Sequence, residues 1–356
     1  MLTSDFKYLI AYIVPVLGIY FLHLDGLWLF GIPIVAFVIT PLIELMIPVD
    51  IYNHSEETLV RKDNQVYFDA LLFLNVPLIY LMAYTFFTHM HTYNTTWEFI
   101  GALSSTGIVL GAVGINVAHE LGHKKGKLHQ LASKALLLPS LYMHFLVEHN
   151  QGHHLRVATL EDPATSRKNE IIYFFWIRST VMGYLSAWQI QKKNLKRAKL
   201  SFFSMKNEML KFTMLQCAYL AIITYFFGLY GLFIAILVAI HSFLMLETVN
   251  YIEHYGLLRK KLPNGRYERV EKIHSWNSDH QLGRILLYEL TRHSDHHYIA
   301  NKKYQTLLHY DESPQLPLGY PGSMLIAMIP PLWFKIMNPL VENYRSTHNM
   351  PQVLAQ

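Results

Sequence analysis

Nine histidines stand in four short clusters whose spacings are those of metal ligands carried on helices. His119-Glu120-Leu121-Gly122-His123 sets two imidazoles at i and i+4. Glu148-His149-Asn150-Gln151-Gly152-His153-His154 repeats that pair and adds i+5, and Arg292-His293-Ser294-Asp295-His296-His297 offers i, i+3 and i+4. A fourth element, Asn250-Tyr251-Ile252-Glu253-His254-Tyr255-Gly256-Leu257, supplies one more. Residues three and four apart on a helix share a face, so each cluster can present converging nitrogen donors. Imidazole suits iron, copper, zinc and nickel alike, so ligand type leaves the metal open and ligand number narrows it. One zinc site uses three or four protein ligands. Nine histidines would saturate two such ions and leave one over, whereas two iron ions of higher coordination number, with positions open for dioxygen, could use them all. The other eleven of the 20 histidines, among them His23, His144, His241, His274 and His309, carry no such spacing and read as ordinary packing or surface residues.

The elements that position these clusters follow from hydropathy. Of 356 residues 52% are apolar and 15% charged, against about 25% charged in an ordinary soluble domain, and the mean hydropathy is +0.20. A membrane-spanning helix needs about 20 mainly apolar residues. Six stretches qualify, at roughly 7–24, 27–47, 68–88, 97–118, 209–228 and 229–249. The expected fold is therefore an all-α integral membrane protein of six transmembrane helices in a single domain, 1–356, with histidine-rich helical blocks at 119–208 and 251–356. The first stretch is expected to stay in the mature protein, because Phe21-Leu22-His23-Leu24 offers no small-residue cleavage site.

Orientation follows from the cations, which are retained near span ends on the cytoplasmic side. Residues 119–208 hold fourteen Lys and Arg and 251–356 hold twelve, while the connections near 25–26, 89–96 and Gly228 hold none. Six spans with both termini and the histidine blocks in the cytoplasm place every cation inside, in the inner membrane if the source is bacterial. A basic face beside anionic lipid accounts for the formal charge of +5 without nucleic acid. Two segments, 131–147 and 324–337, are expected to lie along the interface as amphipathic helices.

Other chemistries fit less of the pattern. His119-Glu120-Leu121-Gly122-His123 is literally the HExxH of zinc proteases, but seven clustered histidines lie outside it. A metal transporter would carry its ionisable residues at mid-depth, whereas these flank the spans. The single Cys217 excludes a disulfide framework and a four-cysteine iron–sulfur centre, and no Gly-x-Gly-x-x-Gly nucleotide fingerprint occurs. Gly111-Ala112-Val113-Gly114 sits mid-span and reads as close helix packing.

The clusters in their order resemble the membrane-bound desaturase and hydroxylase superfamily, and the text between them resembles the alkane 1-monooxygenase (alkane omega-hydroxylase) family. Besides the four histidine elements, the match includes Arg156-Val157-Ala158-Thr159, Asp162-Pro163-Ala164-Thr165-Ser166-Arg167, His274-Ser275-Trp276-Asn277-Ser278 and Gly319-Tyr320-Pro321-Gly322. It runs from about residue 20 to 340. Thr291 stands where the family commonly has Gln, and Tyr298 where it commonly has a small residue.

The resemblance implies a non-haem di-iron centre held by His119, His123, His149, His153, His154, His254, His293, His296 and His297, which uses dioxygen to hydroxylate the terminal carbon of n-alkanes to primary alcohols. It further implies electrons from rubredoxin, reduced by an NADH-dependent rubredoxin reductase. A fatty-acyl or sterol desaturase or hydroxylase would share the scaffold. Ligating imidazoles normally donate their second nitrogen to a carboxylate or carbonyl, so Glu120, Glu148, Asp162, Glu253 and Asp295, in or beside the motifs, are the expected orienting groups. An alkane must arrive from the lipid, which calls for an apolar channel between spans. By resemblance, Ala36 in the second span occupies the position where side-chain bulk limits chain length. The cations Lys124, Lys125, Lys127, Arg167 and Lys168 are candidates for steering an acidic partner.

Overall fold

A computed structural model describes residues 2–351. Among these residues the chain is helical, with two isolated β-bridges, Lys261 to Tyr267 and Asn277 to Gln315, and no strand. Five helices are long and apolar enough to cross a bilayer: α1 (Thr3–Phe21), α2 (Gly26–Met46), α4 (Val66–His89), α5 (Thr96–Gly122) and α9 (Glu208–His254). The short helix α3 (Glu56–Asp63) precedes α4. After α5 come α6 (Lys127–Leu137), α7 (145–156) and α8 (Ile172–Arg197), and after α9 come α10 (Gln281–Leu286), α11 (His293–Tyr298), α12 (Tyr320–Ala327) and α13 (Pro330–Thr347).

The 47 residues of α9 would run about 70 Å at 1.5 Å per residue, more than twice the hydrocarbon thickness of about 30 Å. The helix breaks at Gly228, whose φ of 66° and ψ of −171° suit a residue without Cβ. The chain reverses there: Gln216 accepts a hydrogen bond from the Met143 N–H at 3.3 Å, and Ser242 bonds Ser140 at 2.7 Å, so residues placed symmetrically about the break reach the same depth. With α9 divided at Gly228, the five candidate helices among the described residues make six spans, as hydropathy predicts. The three cation-free connections gather at one end of the bundle, where Gly26 donates to Glu98 at 2.9 Å, His23 packs on His89, and His91 packs on Tyr230.

Between spans, where lipid is as apolar as the protein, small residues allow the backbones to approach. A Cβ on Gly111 would lie 2.7 Å from the Ser242 carbonyl oxygen and one on Gly107 2.3 Å from His241, which seats α5 directly on the second half of α9. The first of these elements ends at Gly122, with His123 capping it, and the second ends at His254.

The segments expected at the interface are interrupted. Helix α6 stops at Leu137, Leu141 takes a positive φ of 50°, and helix resumes at Phe145. Likewise α12 and α13 meet at 120°, and their buried Tyr320, Met324, Trp333 and Met337 pack with Tyr251 and Tyr255. Proline accounts for both breaks: Pro139 follows the end of α6, and Pro330-Pro331 open α13, where each lacks an N–H and disfavours helix in the residue before it. Charged and polar contacts clamp α1 to its neighbours: Asp5 pairs with Lys62 of α3 at 2.7 Å, and Glu289 of the second block accepts from Tyr8 at 2.7 Å and Lys7 at 3.0 Å, and from Arg284 at 2.6 Å.

Candidate metal centre

All nine clustered histidines converge at the end of the bundle opposite the cation-free connections, and they divide into two groups. His119, His123, His149, His154 and His296 form one, and His153, His254, His293 and His297 the other, with the donor atoms of each group within 4.8 Å of one another. No other histidine joins either group among the described residues.

The division comes from helix geometry. Residues 149–153 form a π turn within α7, in which the His154 N–H donates to the His149 carbonyl five residues back. His149 and His154 therefore meet, Nε2 to Nε2 at 3.0 Å, while His153 turns to His297 at 3.2 Å. On α11 the spacing is ordinary: His293 and His297, one turn apart, meet at 2.9 Å, and His296 points to His119 at 2.9 Å and His154 at 3.1 Å. His123 lies 3.2 Å from His149 and 3.3 Å from His154, and His254 lies 3.2 Å from His293.

These contacts fit a bound cation. Two metal–nitrogen bonds of about 2.1 Å meeting at a right angle hold their nitrogens about 3.0 Å apart, which is the spacing found. A proton between two rings satisfies one pair, whereas five converging nitrogens, or four, could share one cation. Burial also keeps the rings neutral: it pushes His123 down to about 4, and it lowers His149, His154, His293, His296 and His297, with the neighbouring imidazoles adding to the effect. His153 is the exception. Burial alone would lower it, but the Asp162 carboxylate raises it, accepting from its Nδ1 at 2.9 Å and from Thr165 at 2.6 Å.

The five carboxylates named from the sequence have different partners. Asp162 holds His153, and Glu253 lies 3.2 Å from the Nε2 of His293 while accepting from the Tyr320 hydroxyl at 2.7 Å. Glu148 instead accepts from Arg156 at 2.6 Å and from Ser186 at 3.3 Å. Glu120 accepts from the Tyr304 N–H at 3.3 Å beside Lys124, and Asp295 from Lys302 at 2.6 Å and the Leu308 N–H at 2.7 Å. These three brace the loops around the centre.

Residues that the spacing argument passed over complete the support. Ser275 contacts the Nδ1 of His254 at 3.4 Å, and Asn277 accepts from the Ser294 N–H at 2.7 Å and donates to its hydroxyl, fixing α11. Ser166 donates to the Tyr251 carbonyl at 2.7 Å, tying the Asp162 loop to the end of α9. The signal was present, since Ser275, Asn277 and Ser166 lie in the quoted motifs, but their roles required the fold.

An apolar cavity of about 110 Å³ runs from the spans to both histidine groups. Val14, Ala36, Phe37, Ile108, Ala112 and Met245 line its membrane portion, and His119, His149, His293 and Glu253 its inner end. Among the described residues no Lys, Arg or Asp lines it. Ala36 lies in a second π turn, Val35–Ile39, whose displaced Val35 carbonyl accepts from the Thr40 hydroxyl at 2.8 Å. A third, Leu110–Ile115, forms the facing wall.

The family model described as fatty acid desaturase matches residues 94–321. Over 315 residues the chain is 39% identical to alkane 1-monooxygenase 2 of Pseudomonas aeruginosa, covering 87% of this chain and 83% of that one. It is 37% identical over 352 residues to the alkane 1-monooxygenase of Acinetobacter baylyi, covering 96% and 86%. It is 38% identical over 333 residues to that of Ectopseudomonas oleovorans, covering 93% and 83%.

Proposed function

The chain belongs to the alkane 1-monooxygenase family, and from that premise we propose that it converts n-alkanes to primary alcohols at two non-haem iron ions, using dioxygen and electrons from rubredoxin. The observation that carries this reading is the meeting of an apolar cavity with two histidine groups at its inner end.

An alkane offers no polar handle, so no acid, base or nucleophile of the protein can attack it. The iron pair would supply the oxidising chemistry, with one oxygen atom entering the C–H bond and the other leaving as water after two electrons and two protons arrive. The protein's own part is positional. His119, His123, His149, His154 and His296 would hold one ion and His153, His254, His293 and His297 the other. Asp162 fixes the ring of His153, and the apolar walls exclude water and present the chain end. A fatty-acyl substrate would bring a carboxylate or a head group, and the cavity has no cation to receive either. A protease reading of His119 and His123 is disfavoured by the five-nitrogen group they join and by Glu120, which faces Lys124 and Tyr304.

The electrons must come from outside, because the chain has one cysteine. We place the termini and the metal centre in the cytoplasm, in the inner membrane of a bacterial cell, with an NADH-dependent rubredoxin reductase behind rubredoxin. Of the basic residues near the centre, Lys124 is paired with Asp69 and Lys168 with Glu342, while Lys125, Lys127 and Arg167 are exposed and available to an acidic partner. Metal analysis of the purified protein tests the centre: two irons per chain support it, and a single zinc overturns it.

A further inference from the structure

A second, smaller cavity of about 20 Å³ adjoins the centre, walled by α7, α8, the Asp162 loop and the second half of α9. We propose that it holds a water molecule through which Glu247 passes protons toward the centre, and that the water formed in the reaction leaves by it. This rests on the function proposed above and deepens it.

The reaction needs such a route. An alkane, dioxygen, two electrons and two protons give an alcohol and one water; the electrons come from rubredoxin and the protons from solvent. Protons move between hydrogen-bonding side chains and water, and Val14, Phe37, Ile108 and Met245 in the membrane portion of the substrate cavity offer no such groups. The small cavity is polar where that portion is not: Tyr142, His144, Glu148, Ser179, Glu247 and Asn250 line it. It also reaches one histidine of each group, His149 and His153. Phe145, His149 and Asn250 line both cavities, so they form the partition that keeps the alkane apart from the water.

A water needs about 10–15 Å³ and two to four polar partners, and the cavity supplies both. Glu247 is 3% exposed. Its Oε1 accepts from the Tyr142 hydroxyl at 2.7 Å, whereas Oε2 has only the Asn250 amide at 3.4 Å, longer than an ordinary hydrogen bond. A buried carboxylate oxygen held so loosely is costly, and a water in the cavity is the donor it lacks. Burial pushes His144 down to about 3, so its neutral ring presents one donor and one acceptor. The room comes from α8, where Ser179, Gly183 and Ser186 share the buried face at i, i+4 and i+7 and a Cβ on Gly183 would meet nothing within 4 Å. Toward solvent, Glu148 borders the cavity and accepts at 2.6 Å from Arg156, whose side chain is 26% exposed. Hydrogen-bonding groups thus run from the surface to the water, and Glu247 acts on the reaction through that water without touching substrate.

Radiolytic footprinting in 18O-labelled water tests the water site without turnover, because radicals formed at a bound water mark the side chain beside it. Tyr142, 4% exposed, should be labelled in the wild type. In Gly183→Val, whose added methyl groups occupy the cavity, the label should fall at least about ten-fold. No label on wild-type Tyr142, or the same label in Gly183→Val, would overturn the water site. The relay is read from alcohol formed per NADH oxidised, and from the effect of D2O on the rate, in the holoenzyme with rubredoxin, its reductase and an n-alkane. Glu247→Gln can still accept from Tyr142 and should retain iron, yet slow alcohol formation about 100-fold, enlarge the D2O effect and lower the yield per NADH. Glu247→Asp should restore part of the rate, and Gly183→Val should show the same lowered yield with Glu247 intact. A wild-type yield and D2O effect in Glu247→Gln would overturn the relay. Wild-type protein that forms no alcohol would overturn the function proposed above, and the footprint on Tyr142 does not depend on that outcome.

Discussion

His149 and His154, five residues apart, bring their Nε2 atoms to 3.0 Å, while His153, four residues from His149, reaches the other histidine group. One π turn thereby lets a single short helix serve both histidine groups. Gly152 sits inside that turn, where a Cβ would come within 2.5 Å of both Arg156 Nη2 and Glu148 Oε1, the atoms of a half-buried ion pair.

Gly152→Ala should therefore separate Glu148 from Arg156 and disturb the turn. The expected loss of stability is about 1–3 kcal/mol, read as a lowered midpoint of thermal unfolding in detergent, together with weakened iron retention. Gly183→Ala on α8, where a Cβ meets nothing within 4 Å, is the matched control: it should raise the midpoint slightly, because Ala favours a helix interior over Gly, and leave iron retention unchanged.

Asp162→Asn removes the carboxylate that orients His153. Loss of such a partner typically costs about 10–100-fold in metal affinity. Chelator titration of iron should show that loss at one site of the two, with Thr165→Val giving a smaller effect through the same carboxylate. Equal affinity in Asp162→Asn and wild type would contradict the assignment.

Ala36→Trp should fill the membrane portion of the cavity. A chain-length series assayed for 1-alkanols should then lose its longer products and keep its shorter ones. An unchanged product profile would mean that Ala36 does not limit the channel.

Glu289 sets an acid limit on stability. Burial would raise its carboxyl, but the Arg284 guanidinium, Lys7 and Arg292 outweigh burial and hold it well below the usual carboxylate range. A carboxyl lowered on folding stabilises the protein above its unfolded value, about 4.3, and that contribution is lost as pH falls through the folded value. Glu289→Gln, which leaves buried cations unmatched, should cost about 3–5 kcal/mol at neutral pH. The gap from wild type should narrow as pH falls below about 4. Parallel stability curves for the two proteins across that range would contradict this.

The spans and the nine histidines were legible because each rests on a local rule, run length for one and ligand spacing for the other. Gly228 marked the hairpin in α9 for the same reason. The grouping of the histidines was not legible: a period of 3.6 assigns His149 and His153 to one face, and the π turn that separates them leaves no mark in residue types. Nor could the sequence give the direction of a carboxylate. Glu148, Glu120 and Asp295 sit as close to the motifs as Asp162 does, yet Arg156, Lys124 and Lys302 draw them away from the rings. The break between α6 and α7 was legible as well, since Pro139 stands in it, but the apolar pattern of 131–147 was read across that proline.

The most direct measurement is the fate of 18O2 in the purified protein supplied with rubredoxin, its reductase, NADH and an n-alkane. The account predicts a 1-alkanol carrying one 18O atom at its terminal carbon, formed in step with the iron content. An alkene, an internal alcohol, or a terminal alcohol whose oxygen comes from water would contradict it.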